Sequence, residues 1–206
     1  MFQAFTKKLL IVFIFLLSSV LNADDYQAGK HYQILSEPVV TRDSKKIEVI
    51  EFFLFRCGAC YSLENQLNSW KKDLPSDVDF WRSPITWDPL SKTHAQIFYA
   101  AEFFEKPEII SNTFISFHGN GNKLASDVEL IPFFASFGID DKEYKKLFDS
   151  FAMQNQIRRA GSLGLKYKVT SVPTFIVNGK YKVSPSKVGF SEVFDVINYL
   201  INIERK

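Results

Sequence analysis

Residues 47–55 read IEVIEFFLF, and just beyond them lie both cysteines of the chain, in Cys57-Gly58-Ala59-Cys60. A run this long, rich in β-branched and aromatic residues, suits a strand buried on both faces. Leu63, Leu67 and Trp70 then recur at helical spacing, up to a stop near Pro75. The pattern therefore predicts a central strand that passes straight into a helix, with the cysteines at the join. Two cysteines three apart cannot form a disulfide scaffold, which needs several bridges across long loops. Three uses remain: a redox pair, half of a metal site, or a local staple.

The N-terminus bears on the compartment. Lys7 and Lys8 precede the apolar run LLIVFIFLL, then SSVLNA, then Asp24 and Asp25. A basic start, a short apolar core and a small residue before polar sequence predict a secretory signal peptide over 1–23, cleaved after Ala23. The run is short for a transmembrane helix, which needs about 20 residues. The mature chain would hold 183 residues, with 23 basic and 23 acidic side chains once Lys7 and Lys8 are removed. That length suits one well-cored domain with an inserted subdomain. Zero net charge gives no reason to expect nucleic acid as a partner. The 21 phenylalanines point to a large apolar core. Export implies an oxidising compartment, where disulfides persist.

Along the chain, VDFWR at 78–82 alternates like a second strand. From about 89 to 164 the pattern is helical. Pro107 suits a first helical turn, HGNGN at 118–122 is a loop, and Ser126 with Glu129 spells a capping box. Asp140 opens a helix expected to run to the glycines of AGSLG. TFIV and KYKV then flank Asn178–Gly179, a strong hairpin signal. Ser191 is expected to cap a last helix. The order is strand, helix, strand, a helical block, hairpin, helix, which fits an α/β sheet with helices inserted in its middle.

At the join, Cys57 is expected at the mouth of the helix and Cys60 one turn inside. Unpaired N–H groups and the positive end of the helix dipole favour a thiolate on Cys57, with a pKa in the roughly 3.5–7.5 range. Arg56 should depress it further. Cys60 should keep its proton until it resolves a mixed disulfide. Glu51, a carboxylate inside an apolar run, is costly unless partnered or used. Beneath Cys60 and with a raised pKa it can exchange a proton with that thiol; equally it can be a strand-edge carboxylate reaching water. Pro173 should mark a bend or a strand's first residue, with a cis bond after Val172 among its options.

The stretches EFFLFRCGACY, SVPTFIVNGKYKVSP and YQAGKHYQIL together resemble the DsbA family of periplasmic thiol:disulfide oxidoreductases, over the whole mature chain. The resemblance implies a thioredoxin-like mixed sheet with an inserted all-helical domain: 24–86 and 164–206 form the thioredoxin-like part, and 87–163 the insert. It implies Cys57 as nucleophile, Cys60 as resolving cysteine, Glu51 as the buried acid, Pro173 as the cis-proline, and Val172 as the residue whose backbone pairs with substrate. It implies a periplasmic monomer that acts on exported proteins with free cysteines and is reoxidised by a quinone-linked membrane partner. No cofactor or metal is needed. The departure lies between the cysteines, where the family's commonest dipeptide is Pro-His and this chain has Gly58–Ala59. Alanine supplies no charge to the thiolate, and Gly58 loosens the first turn. The pair should therefore be less oxidising than the family's best-known members, with Arg56 compensating in part.

Zinc needs about four ligands, and His31, His94 and His118 have no paired spacing. His94 reads as a surface residue and His118 as solvated in its loop. A disulfide closing two residues would stabilise little. Two classes remain: an enzyme, either an oxidase or a reductase/isomerase, and a chaperone-like module that holds peptides in an apolar groove.

Overall fold

The computed structural model describes residues 26–206; the leader read at 1–23 lies outside the described residues. Five strands form one sheet in the order β1-β5-β4-β2-β3: β1 Gln33–Ile34, β2 Ile47–Phe53, β3 Val78–Pro84, β4 Thr174–Val177 and β5 Tyr181–Val183. All seven residues of β2 are buried, as its unbroken apolar run requires of a strand covered on both faces. It pairs parallel with β3 and antiparallel with β4. The crossover from β2 to β3 is helix α1, Gly58–Lys72.

Alternation along β2 divides its side chains between two layers. Ile47 and Val49 pack with Leu63 and Leu67 of α1, and with Val196, Ile197 and Leu200 of the last helix, α8 (Val193–Glu204). Ile50 and Phe52 face the other way, onto Ile85, Tyr167 and Val169. Between β3 and β4 the chain forms α2 Pro89–Phe103, α3 Glu108–His118, α4 Asp127–Ala135, α5 Asp141–Phe148 and α6 Phe151–Lys166. These helices bury a core of their own, with Ile97, Ile109, Phe134, Tyr144 and Met153 at its centre. A short helix, α7 Pro185–Val188, follows β5.

Several local expectations are corrected. The segment from Asp140 forms two helices. Asp140 and Glu143 make a reciprocal capping box on α5, and Ser150 Oγ accepts the Met153 N–H to start α6. Gly161 and Gly164 lie inside α6 and do not end it. A Cβ on Gly161 would come 3.0 Å from Thr86 Oγ1, and one on Gly164 would come 3.1 Å from Ile85 Cδ1. Glycine here lets α6 press against the segment that leaves β3. Ser126 makes no capping bond; Glu129 reaches back to the N–H groups of Lys123 and Ala125 instead. Ser191 does not cap α8, whose N-cap is Glu192 without a side-chain bond. His94 is buried, its Nε2 2.8 Å from the Lys123 carbonyl.

The Asn178–Gly179 hairpin forms with both residues at positive φ, 48° and 64°. Gly179 also lies under the backbone of Val39, whose N–H donates to the Gly179 carbonyl at 2.9 Å. A Cβ there would fall 2.0 Å from the Val39 carbonyl oxygen. Gly179→Ala should therefore lower stability by more than about 1 kcal/mol in urea unfolding. Gly58→Ala, with open space around its Cβ, should be neutral or stabilising in the same assay.

Candidate active site at the strand–helix junction

β2 ends in a tight turn in which the Cys57 N–H donates to the Leu54 carbonyl at 3.1 Å. Cys57 is the N-cap of α1, and its Sγ accepts the Cys60 N–H at 3.3 Å. The sulfur thus takes the place that a Ser or Asp oxygen usually fills, on N–H groups that have no partner within the helix. Cys57 is half-buried and Cys60 fully buried, both as free thiols. Across the gap the chain brings in Val172 and Pro173, joined by a cis peptide bond. The Val172 carbonyl lies 3.5 Å from Cys57 Sγ, within reach of its S–H.

The two sulfurs are driven apart in acidity. Cys57 falls to about 6 from an ordinary value of 9, chiefly because the Cys60 thiol donates to its sulfur; burial opposes this, and the N–H groups of Cys60 and Ala59 assist. Cys60 is pushed far up, first by burial, then by its bond to Cys57 and by the charge of Glu51. Charge therefore collects on the accessible sulfur and the proton stays on the inner one.

Glu51 is fully buried, one of the two alternatives its sequence context left open. Its pKa rises to about 7, chiefly through burial, and Arg82 opposes the rise. β2–β3 register sets Glu51 directly beside Arg82, and Arg82 Nε lies 2.6 Å from Glu51 Oε2. Nη2 of the same guanidinium lies 2.6 Å from Glu64 Oε1 on α1. Its Cζ lies over the Phe53 ring, 4.1 Å from the ring centroid. One buried cation thus joins β2, β3 and the helix that carries the cysteines. Neither Arg82 nor Glu64 stood out in sequence. The available signals were an arginine closing an alternating strand and a glutamate one turn beyond Cys60.

Arg56 departs from expectation. Its guanidinium pairs with Asp88, the N-cap of α2, which is also held by Ser91. It is not among the causes that lower Cys57. An arginine matched to a carboxylate offers little net field to a neighbouring sulfur. Gly58 is exposed at the first position of α1 and Ala59 is partly buried behind it.

A family model described as a DSBA-like thioredoxin domain matches residues 64–195. The chain belongs to this family. The matched span opens just after Cys60, and full-length relatives extend the likeness across the junction. The thiol:disulfide interchange protein DsbA of Pseudomonas aeruginosa is 37% identical over 89% of this chain and 88% of its own length. The protein of the same name from Azotobacter vinelandii is 35% identical over 90% and 87%. The crystal structure of Pseudomonas aeruginosa DsbA superposes with a TM-score of 0.83, at 37% identity, over 90% of this chain and 97% of the other. The sheet and helices described above are therefore the DsbA-like form of the thioredoxin fold.

Two outcomes follow from the buried cation and its acids. Arg82→Met strands Glu51 and Glu64 without their counter-charge and should destabilise the fold by about 3–5 kcal/mol in denaturant unfolding. Glu51 binds its proton more tightly folded than unfolded, so it subtracts stability as pH rises from about 4.5 to about 7. Stability of the parent chain relative to Glu51→Gln should fall across that window, and be level outside it. Melting curves of both proteins at stepped pH measure this.

Proposed function

We propose that Cys57 and Cys60 carry the chemistry of a thiol:disulfide oxidoreductase that introduces disulfide bonds into other proteins. The observation that supports this most directly is Cys57 Sγ on the N-terminus of α1, with the Val172 carbonyl facing it at 3.5 Å. With the pair oxidised, a substrate thiolate attacks Cys57 Sγ and breaks the Cys57–Cys60 bond. Cys60 leaves as a thiolate and takes a proton, for which Glu51 is the buried source. Glu51 suits that task because its pKa near 7 leaves it part protonated at neutral pH. A second substrate thiolate then attacks the substrate sulfur of the mixed disulfide and expels Cys57, again as a thiolate. The substrate gives up two electrons to the pair and its two thiol protons to water. The enzyme is left with a Cys57 thiolate and a Cys60 thiol, and Glu51 regains its proton from water. Stability of the Cys57 thiolate is what makes the forward direction favourable.

Val172 and Pro173 hold the substrate chain. The backbone of Val172 offers strand-like pairing to a peptide whose cysteine reaches Cys57. Arg56, Gly58 and Ala59 tune the sulfur weakly: the first is engaged by Asp88, and the other two carry no charge. The insert, read from sequence as 87–163, is a helical domain set into a thioredoxin-like domain, and α6 carries it on to Lys166. The protein acts as a monomer in the periplasm, where the leader of 1–23 directs it. Its substrates are exported proteins with free cysteines, and a quinone-linked membrane protein restores the disulfide. The likeness to relatives named DsbA favours an oxidase over a reductase or isomerase.

Cys57→Ser should abolish oxidation of a dithiol peptide. A parent chain that does not oxidise the peptide, and a Cys57→Ser variant that matches it in preventing aggregation of an unfolded protein, favour the peptide-holding alternative. Equilibrated with glutathione, the parent chain should sit on the reducing side of the general value for DsbA, about −120 mV. Ala59→His should move it toward that value.

A further inference from the structure

We propose that His118 is a positioning residue for the Cys57–Cys60 pair, acting through the peptide that links Phe55 to Arg56. This deepens the redox reading above and rests on it. In the turn that delivers Cys57 to α1, Leu54 and Cys57 bond to each other across the ends. The Phe55–Arg56 peptide lies between them, outside that bond. Phe55 is fully buried, so its carbonyl needs a donor. Among the described residues its hydrogen bond is to His118, whose Nε2 lies 2.7 Å away. A carbonyl oxygen only accepts, so Nε2 carries the hydrogen and donates.

The ring is held in place for this task. His118 is the last residue of α3, one turn beyond Phe114 on the same face. Phe114 is buried against Phe53 and Phe55. Tyr61, the residue after Cys60, stacks on both rings, 4.7 Å from His118 with the planes 5° apart and 5.9 Å from Phe114. His118 thereby touches the chain on both sides of the cysteines: the carbonyl two residues before Cys57 and the ring one residue after Cys60. It comes from the helical insert, not from the sheet.

The support of a thiolate by N–H groups depends on where the sulfur sits over the helix end. The turn fixes that position, and the orientation of its middle peptide is held by the donor on the Phe55 carbonyl. Without the donor the peptide can rotate to find water, and Cys57 loses alignment with the N–H groups of Ala59 and Cys60. Thiolate support in this chain thus draws on a histidine outside the active-site loop, while the dipeptide between the cysteines offers the Ala59 N–H but no side-chain charge or donor.

The test uses His118→Phe, which keeps a ring against Tyr61 and removes the donor, and His118→Gln, which restores an N–H. Each full-length mature chain is titrated by ultraviolet thiolate absorbance and equilibrated with glutathione buffers. His118→Phe should raise the Cys57 pKa by up to about one unit and shift the equilibrium with glutathione roughly three- to tenfold toward the disulfide form. His118→Gln should return both readouts to within about twofold of the parent. Unchanged readouts in His118→Phe overturn the inference while leaving the redox pair intact. So does a loss of melting temperature in both variants with no movement in the equilibrium, which marks a packing role only. A parent chain that does not exchange with glutathione overturns the redox reading, and this inference with it.

Discussion

Everything at the junction depends on β2 being buried along its whole length and ending where α1 begins. A strand covered on both faces has no freedom to slide, because a shift of one residue would turn every side chain to the opposite layer. The last residues of such a strand therefore deliver the next few to a fixed place. Here that place is the open end of a helix, where N–H groups lack partners. Cys57 is the first residue able to use them, and its sulfur does so.

The same rigidity permits a costly feature underneath. Glu51, Arg82 and Glu64 put three charged groups into a region from which water is almost excluded. Burial is the main cause of the raised pKa of both Glu51 and Cys60, with Arg82 opposing the rise at Glu51 and Glu64 adding to it. Glu51 holds its proton to about pH 7, and its charge helps to keep Cys60 protonated. The fold thus separates two chemically identical side chains. One stands at a helix terminus, where charge is favoured; the other lies over a buried acid, where charge is opposed.

The helical insert is more than a cover on this arrangement. Asp88 engages Arg56, Phe114 packs on Phe55, and His118 bonds the Phe55 carbonyl. Phe55 and Arg56 are thus each engaged by the insert, and Cys57 by the Val172 carbonyl. A cation beside Cys57, expected of Arg56, is engaged by Asp88 because the insert places a carboxylate within its reach. Relatives named DsbA match this chain over nearly all of their length, so the insert and the sheet belong to one inherited design.

Much of this was legible in the order of residues. A continuous apolar run, helical spacing after it and a cysteine at each end of one turn determine strand, helix and a shared face, because those periodicities are local properties of the backbone. Asn178–Gly179 likewise announces its hairpin, since both residues tolerate positive φ. Glu51 was conspicuous as a charge in an apolar strand, but sequence alone left open whether it reached water. Burial and the facing Arg82 decided that, and both follow from the pairing of β2 with β3, a contact between residues 31 apart. The glycines of α6 looked like a helix end because their use, close approach to Ile85 and Thr86, is invisible along the chain. His118 looked like a solvated loop residue for the same reason: its partner is a carbonyl 63 residues earlier. Sequence by itself determined which residues can do chemistry and which local shapes they favour; tertiary structure decided which charges face each other and which polar groups are left to be satisfied, because both depend on distances that only packing sets.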